Sequence, residues 1–177
     1  MDRLEQIKYK GYNINIYQDS DPESPREWCN IGKMLCFHNR YNLGDEDIKD
    51  EWIEKLECKV KDVFDYCDEK DLIEWLKKEK KAVVILPLFL YDHSGISMRC
   101  YPHGQHVSWD CGQVGFIYVT KEDIKKEYGN KKVTKKEIEK ILTAEVKTYS
   151  QYIEGSVYGY MIEKNEDEEG RGEQGGS

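Results

Sequence analysis

The run from Ala82 to Tyr91 constrains the fold more than any other segment of this 177-residue chain. Its ten residues are apolar or aromatic and lack the alternation of a half-exposed strand. Because a membrane-spanning helix needs about 20 apolar residues, the run predicts a buried central strand instead. Proline cannot donate to a sheet ladder, so Pro87 predicts a bend, a bulge or a sheet edge beside it.

Strands and helices alternate irregularly along the rest of the chain. Apolar residues at steps of two predict strands, and those at steps of three and four predict helices. The further strands are expected at 12–16, 34–37, 113–119 and 157–162, and the helices within 48–64, 68–81, 120–128 and 134–153. This order predicts an α+β domain with one mixed, mostly antiparallel sheet of about five strands and four or five helices packed on it.

The length suits one domain, which we expect to span residues 1–162. An acidic, Gly-rich and disordered tail is predicted at 163–177, where residues 163–173 carry half of the net charge of −8. The N-terminus lacks the apolar core of a signal peptide, and the six cysteines contain no C-x-x-C pair. We therefore expect a cytoplasmic protein with reduced thiols, no membrane partner and, given its net charge, little direct binding of nucleic acid.

A polar segment between two predicted strands holds most of the residues with chemical potential. Five residues of the types that bind zinc lie within nineteen positions there: His93, Cys100, His103, His106 and Cys111. Imidazole and thiolate suit zinc, although their spacing matches no known zinc motif. Ordinary loop and hairpin hydrogen bonds are the competing interpretation.

Two other chemistries draw on the same segment. Asp92 and Asp110, with His93, could form a general acid–base pair or a magnesium site in a small metal-dependent hydrolase or nuclease. Cys111 with His93 and Asp92 could form a nucleophilic triad, but neighbouring residues of a strand point apart. Asp residues beside Gly are also common turn formers, so a structural role competes with each hypothesis.

Glu145 shares one helical stripe with Leu142, Tyr149 and Tyr152. A carboxylate in such a position is expected to be buried and paired, with Arg40 or with a tyrosine hydroxyl as the partner. This arrangement favours a structural role for Glu145 over a catalytic one.

Several motifs resemble those of an uncharacterised protein family found in phages, plasmids and prophage regions of Gram-positive bacteria. They are SPREWCNIG at 24–32, CFHNRYNLGD at 36–45, LPLFLYDHSGI at 86–96 and WDCGQVGFIYV at 109–119, followed by Glu145, Val146, Tyr149, Tyr152 and the stretch 155–160. The resemblance covers nearly the whole chain. Cys111 stands where the family pattern has Ser, which weakens the nucleophile hypothesis further.

The resemblance implies an accessory protein of a mobile element, a class that often counters host defence. We therefore expect a non-enzymatic anti-CRISPR protein without a cofactor, which binds and inhibits a type II effector nuclease with its guide RNA in the bacterial cytoplasm. The expected contact residues are Arg40, Tyr41, Asp92, His93, Asp110 and Gln113. A metal-dependent hydrolase and a nucleic-acid-binding accessory protein are the alternatives, and a homodimer stays open.

Overall fold

The computed structural model describes residues 3–45, 69–101 and 111–165. Contacts divide the chain into a terminal unit, residues 1–23 with 155–177, and a central unit, residues 24–154. The described residues form three α-helices and two antiparallel sheets, which confirms the α+β class. The prediction of one sheet of about five strands is wrong, because the terminal strands pair with one another in a sheet of their own. The helix predicted within 48–64 lies outside the described residues.

The described residues of the terminal unit form a three-stranded antiparallel sheet. Its strands are β1 (Arg3–Tyr9), β2 (Tyr12–Gln18) and β7 (Tyr158–Lys164), in the order β1-β2-β7. Lys10 and Gly11 join β1 to β2 with positive φ angles of 48° and 78°, the backbone that a two-residue hairpin requires. β7 continues two residues past the predicted end of the folded domain at Ile162.

Asn15 is the most buried residue of β2, with 2% of its surface exposed. Its side-chain oxygen accepts hydrogen bonds from Gln6 at 2.7 Å and Arg3 at 3.3 Å, and its amide donates to Glu163 at 2.8 Å. The strand itself is confirmed, but burial is greatest on its polar side. The buried amide of Asn15 is tolerated there because hydrogen bonds across all three strands satisfy it.

The central unit contains a four-stranded antiparallel sheet in the order β3-β6-β4-β5. Its strands are β3 (Lys33–Cys36), β4 (Ala82–Asp92), β5 (Ile96–Cys100) and β6 (Cys111–Thr120). β4 lies between β5 and β6, as its apolar run predicts. Pro87 is tolerated because β5 pairs only with Leu88–Asp92 and the β4–β6 register shifts next to it, between Leu88 and Phe89.

The described residues of the central unit include three α-helices: α1 (Glu69–Lys78), α2 (Lys121–Tyr128) and α3 (Lys135–Ile153). Two apolar clusters use opposite sides of the sheet. Leu142 and Val146 of α3 belong to one with Leu86 and Leu88, whereas the other cluster joins α1 to β3 and β6. The helices expected within 120–128 and 134–153 are confirmed as α2 and α3, and Thr120 and Thr134 each open a capping box. No helix of the described ranges is long and apolar enough to cross a membrane.

Candidate functional site

The motif residues at 24–45 build a buried ionic network around Arg26, which follows the Ser24 cap of a 3-10 helix at Pro25–Glu27. The guanidinium donates to both carboxylate oxygens of Asp45, at 2.9 and 3.0 Å, and to the carbonyl oxygen of Gly32 at 2.7 Å. Only 8% of the Arg26 side chain is exposed. Asp45 also accepts from the backbone N–H of Met34 at 2.7 Å, so this network fixes the chain on either side of β3.

Glu145 of α3 completes the network from the opposite side. Its carboxylate accepts from the backbone N–H groups of Ile31, at 2.9 Å, and Gly32, at 3.1 Å, and lies 3.6 Å from Nη1 of Arg26. Burial raises the pKa of Glu145, an effect that these hydrogen bonds and the arginine oppose. The expectation of a buried, paired carboxylate is confirmed, but the partner is Arg26 and not Arg40 or a tyrosine hydroxyl.

An open cavity of about 700 Å3 adjoins the network and is lined by Arg26, Lys33 and Asp45, among others. Two of its cations face acids on the protein itself: Arg26 binds Asp45, and Lys33 lies 3.1 Å from Asp123. The charge of these groups is therefore satisfied within the fold. We assign the network a structural role, in which it ties the motif at 24–32 to β3 and α3.

The second polar cluster joins Arg40 and Tyr41 to Asp92 at the end of β4. A side-chain nitrogen of Arg40 binds one carboxylate oxygen of Asp92, and the Tyr41 hydroxyl donates to the other at 3.2 Å. The Arg40 guanidinium also lies 5.5 Å from the centre of the Tyr41 ring, within the range of a cation–π contact. Asp92 is largely covered, at 19% exposure, whereas Arg40 is 68% exposed.

His38 packs on the same cluster, with its ring stacked 4.9 Å from that of Tyr41. Its Nδ1 accepts a hydrogen bond from the backbone N–H of Arg40 at 3.2 Å, which favours the neutral imidazole. Burial lowers the pKa of His38; Asp92 raises it, and Arg40 lowers it. We call His38, Arg40, Tyr41 and Asp92 the Arg40 cluster.

The pKa of His38 offers a direct check of this geometry. Asp92→Asn removes the negative charge that favours the imidazolium, so we expect the pKa of His38 to fall further below about 6.5. Arg40→Ala removes a positive charge and should raise it. An NMR titration of the imidazole protons measures both shifts, and shifts of the same sign in the two variants would contradict the arrangement.

The structure brings three of the six predicted contact residues together. Arg40, Tyr41 and Asp92 touch, whereas the two other described residues occupy different settings. His93 lies exposed in the β4–β5 hairpin with its ring 5.0 Å from that of Tyr91. Gln113 of β6 is partly buried, and within the described parts of the chain its amide nitrogen has no hydrogen-bond partner. Asp110, the sixth, lies outside the described residues.

The metal-ligand candidates do not form a cluster in the described parts of the chain. Cys100 is buried, which raises the pKa of its thiol to about 11, and it pairs with Leu88 across the sheet. Cys111 instead lies opposite Tyr91 on β6. Residues 3–45, 69–101 and 111–165 contain no group of three or more His, Cys, Asp or Glu side chains placed to hold a metal. His103 and His106 lie outside those ranges, so the metal hypothesis stays a prediction.

The hydrolase and triad hypotheses both need Asp92 for chemistry. In the structure its two oxygens bind Arg40 and Tyr41, which suits a fixed surface feature. The contribution of Arg40 could be found from the sequence, because it belongs to a recognisable motif. Arg26 and Asp45 were missed as a pair, although the Ser-Pro before Arg26 signals a local cap.

Comparison of the chain with protein-family models, with curated proteins and with solved structures finds no match in any of the three.

Proposed function

We propose that this chain is a counter-defence protein of a phage or another mobile element, which binds and inhibits the effector nuclease of a type II CRISPR system. It acts as a binding protein and not as an enzyme. The observation that carries the proposal is the Arg40 cluster, an exposed arginine held in place by a partly buried carboxylate and by the ring of Tyr41, on which His38 stacks.

Such a cluster is suited to a protein interface. Arginine and tyrosine are enriched among the residues that dominate binding energy. Arg40 is held by Asp92 and lies over Tyr41, so it loses less side-chain freedom on binding than an unrestrained arginine does. Its exposed guanidinium can still donate to a carboxylate or a backbone carbonyl of a partner.

The choice of partner draws on the motif resemblance and on charge. The motifs resemble a family carried by phages, plasmids and prophages, where proteins that block host nucleases are common. A type II effector holds nucleic acid in a positively charged channel. The net charge of −8 favours approach to such a channel over approach to nucleic acid itself. The inhibitor would either occupy that channel or block a conformational step needed for cleavage.

Co-purification tests the proposal. The tagged chain is expressed with the effector and its guide RNA, and cleavage of target DNA by the purified complex is then measured. We expect the wild-type chain to co-purify and to suppress cleavage. Arg40→Ala should weaken binding by about 30-fold, the loss typical of an interface hot spot.

The matched control is Lys125→Ala, which removes a cation from the exposed face of α2. It should bind and inhibit like the wild type. Wild-type failure to bind, with full cleavage, would exclude this nuclease as the target. Full potency of Arg40→Ala and Asp92→Ala, with circular dichroism unchanged, would instead reject the Arg40 cluster as the contact surface.

A further inference from the structure

One face of the terminal sheet is apolar and exposed. The strand register places Ile7 and Tyr9 of β1, Tyr12 of β2, and the Tyr158, Tyr160 and Ile162 side chains of β7 on the same side. These six residues are 43–74% exposed, with the half-buried Ile14 and Ile16 between them. We call these eight residues the tyrosine face. The opposite face is the polar one, where Asn15 is bridged to Gln6 and Glu163.

The size of the tyrosine face matches a protein interface. A large apolar or aromatic side chain presents roughly 200 Å2, so the exposed fractions of the six residues come to on the order of 700 Å2. A standard interface buries about 800 Å2 on each partner. A contiguous apolar patch of this size marks an interaction site, since most monomers keep such patches smaller or use them in function.

The two ends of the tyrosine face differ in shape and in charge. At the end away from the hairpin, a groove of about 530 Å3 is lined by Leu4, Glu5, Ile16, Tyr158, Gly159 and Tyr160. At the hairpin end, Tyr9 and Tyr12 stand directly opposite each other. The ammonium group of Lys10 lies 5.2 Å from the centre of the Tyr9 ring there. One end thus carries the acid Glu5 beside the groove, and the other carries the base Lys10 beside two exposed tyrosine rings.

We propose that the tyrosine face is an interface between two copies of this chain, packed face to face with their strands antiparallel. A two-fold axis across the strands lays the Tyr9–Tyr12 end of each copy over the groove of the other. It also brings Lys10 of each copy towards Glu5 of its partner, so the two faces are complementary in both charge and shape. The alternative two-fold axis, along the strands, would place like ends of the two faces together, with both Glu5 carboxylates at one end and both Lys10 ammonium groups at the other. Like charges at the same end disfavour that arrangement.

This dimer goes beyond the proposed function and is tested without the nuclease. The full chain is studied by sedimentation velocity and equilibrium over a range of concentrations. We expect a reversible monomer–dimer equilibrium for the wild type. Tyr160→Glu, which places a charge beside the groove, should abolish the dimer.

Charge reversal tests the antiparallel arrangement separately. Glu5→Lys and Lys10→Glu should each weaken dimerisation by about tenfold, since each creates two like-charge contacts in a two-fold dimer. The double variant Glu5→Lys with Lys10→Glu should restore wild-type dimerisation. Lys8→Glu is the matched control, because Lys8 lies on the opposite face of β1, paired with Asn13, and it should leave the equilibrium unchanged.

Two results would overturn the proposal. The first is a wild-type chain that stays monomeric at the highest concentrations reached. The second is a dimer that survives Tyr160→Glu with the fold intact by circular dichroism. If the wild type is monomeric and Tyr160→Glu also loses nuclease binding, the face is assigned to the target instead. If the double variant Glu5→Lys with Lys10→Glu dimerises no better than the single variants, the antiparallel axis is rejected, even if Tyr160→Glu abolishes the dimer.

Discussion

Arg26→Ala is expected to lower the free energy of unfolding by about 3–5 kcal/mol, the cost of removing one partner from a buried ion pair. The arginine is 8% exposed and contacts two carboxylates, Asp45 and Glu145. Without it, both acids remain in a partly buried site with fewer hydrogen bonds and with mutual repulsion. Urea denaturation, followed by tryptophan fluorescence, measures the loss.

Arg40→Ala is the matched control for this stability measurement. Arg40 also pairs with an aspartate, but its side chain is mostly exposed to solvent. Exposed ion pairs contribute at most about 1 kcal/mol, so this variant should stay close to the wild type in stability. Equal losses from Arg26→Ala and Arg40→Ala would contradict the assignment of a structural role to one and a surface role to the other.

The pH dependence of the Arg26→Ala loss has a defined sign. Burial raises the pKa of Glu145 even with Arg26 present, and Arg26 acts to lower it. Removing the arginine therefore raises the pKa of folded Glu145 further above that of the unfolded chain. Stability that comes from a raised pKa is present at low pH and is lost as pH rises through the folded-state pKa. The difference in the free energy of unfolding between Arg26→Ala and the wild type should thus become smaller as the pH falls from about 7 to about 4.5.

Gly115→Ala is expected to destabilise the central sheet by about 3 kcal/mol or more, because a side chain there meets backbone atoms that cannot move aside. Gly115 lies on β6 between Cys36 of β3 and Leu88 of β4. A Cβ atom on Gly115 would overlap the carbonyl oxygen of Leu35 and lie 2.9 Å from Cα of Cys36. Either β3 separates from β6, or the strand distorts beside the β4 register shift.

Gly112 provides the control on the same strand. A Cβ atom there has no heavy atom within 4 Å, so Gly112→Ala should change stability by less than about 0.5 kcal/mol. The thermal midpoints of the two variants give the comparison. A Gly115→Ala chain as stable as Gly112→Ala would show that β3 and β6 tolerate a wider separation than the structure indicates.

The Arg40 cluster shows how far the sequence could predict the candidate site. Arg40, Tyr41 and Asp92 could each be selected from motifs and strand ends, because polar residues at strand ends often carry function. That Arg40 binds Asp92, 52 residues away, could not be predicted. The contact depends on how β3 and β4 are placed on either side of β6, and local sequence patterns do not encode strand order.

The ion-pair partner of Glu145 likewise could not be predicted from the sequence. Its burial and pairing follow from its place on an apolar helical stripe, but the choice between Arg26 and Arg40 depends on which loop packs on α3. β1 was missed because five of its seven residues, Arg3–Tyr9, are polar or tyrosine and its partner is a neighbouring strand. The burial of Asn15 could not be predicted, since nothing local reveals the bridge to Gln6 and Glu163.

The sequence by itself determined the α+β class, the central position of β4 and the helix caps at Thr120 and Thr134. These features depend on side-chain periodicity and on hydrogen bonds between residues close in the chain. Only the tertiary structure decided the division into two sheets, the Arg26–Asp45–Glu145 network and the exposure of the tyrosine face. Each of these depends on register and packing between segments far apart in sequence, where the energy comes from contacts that no local pattern specifies.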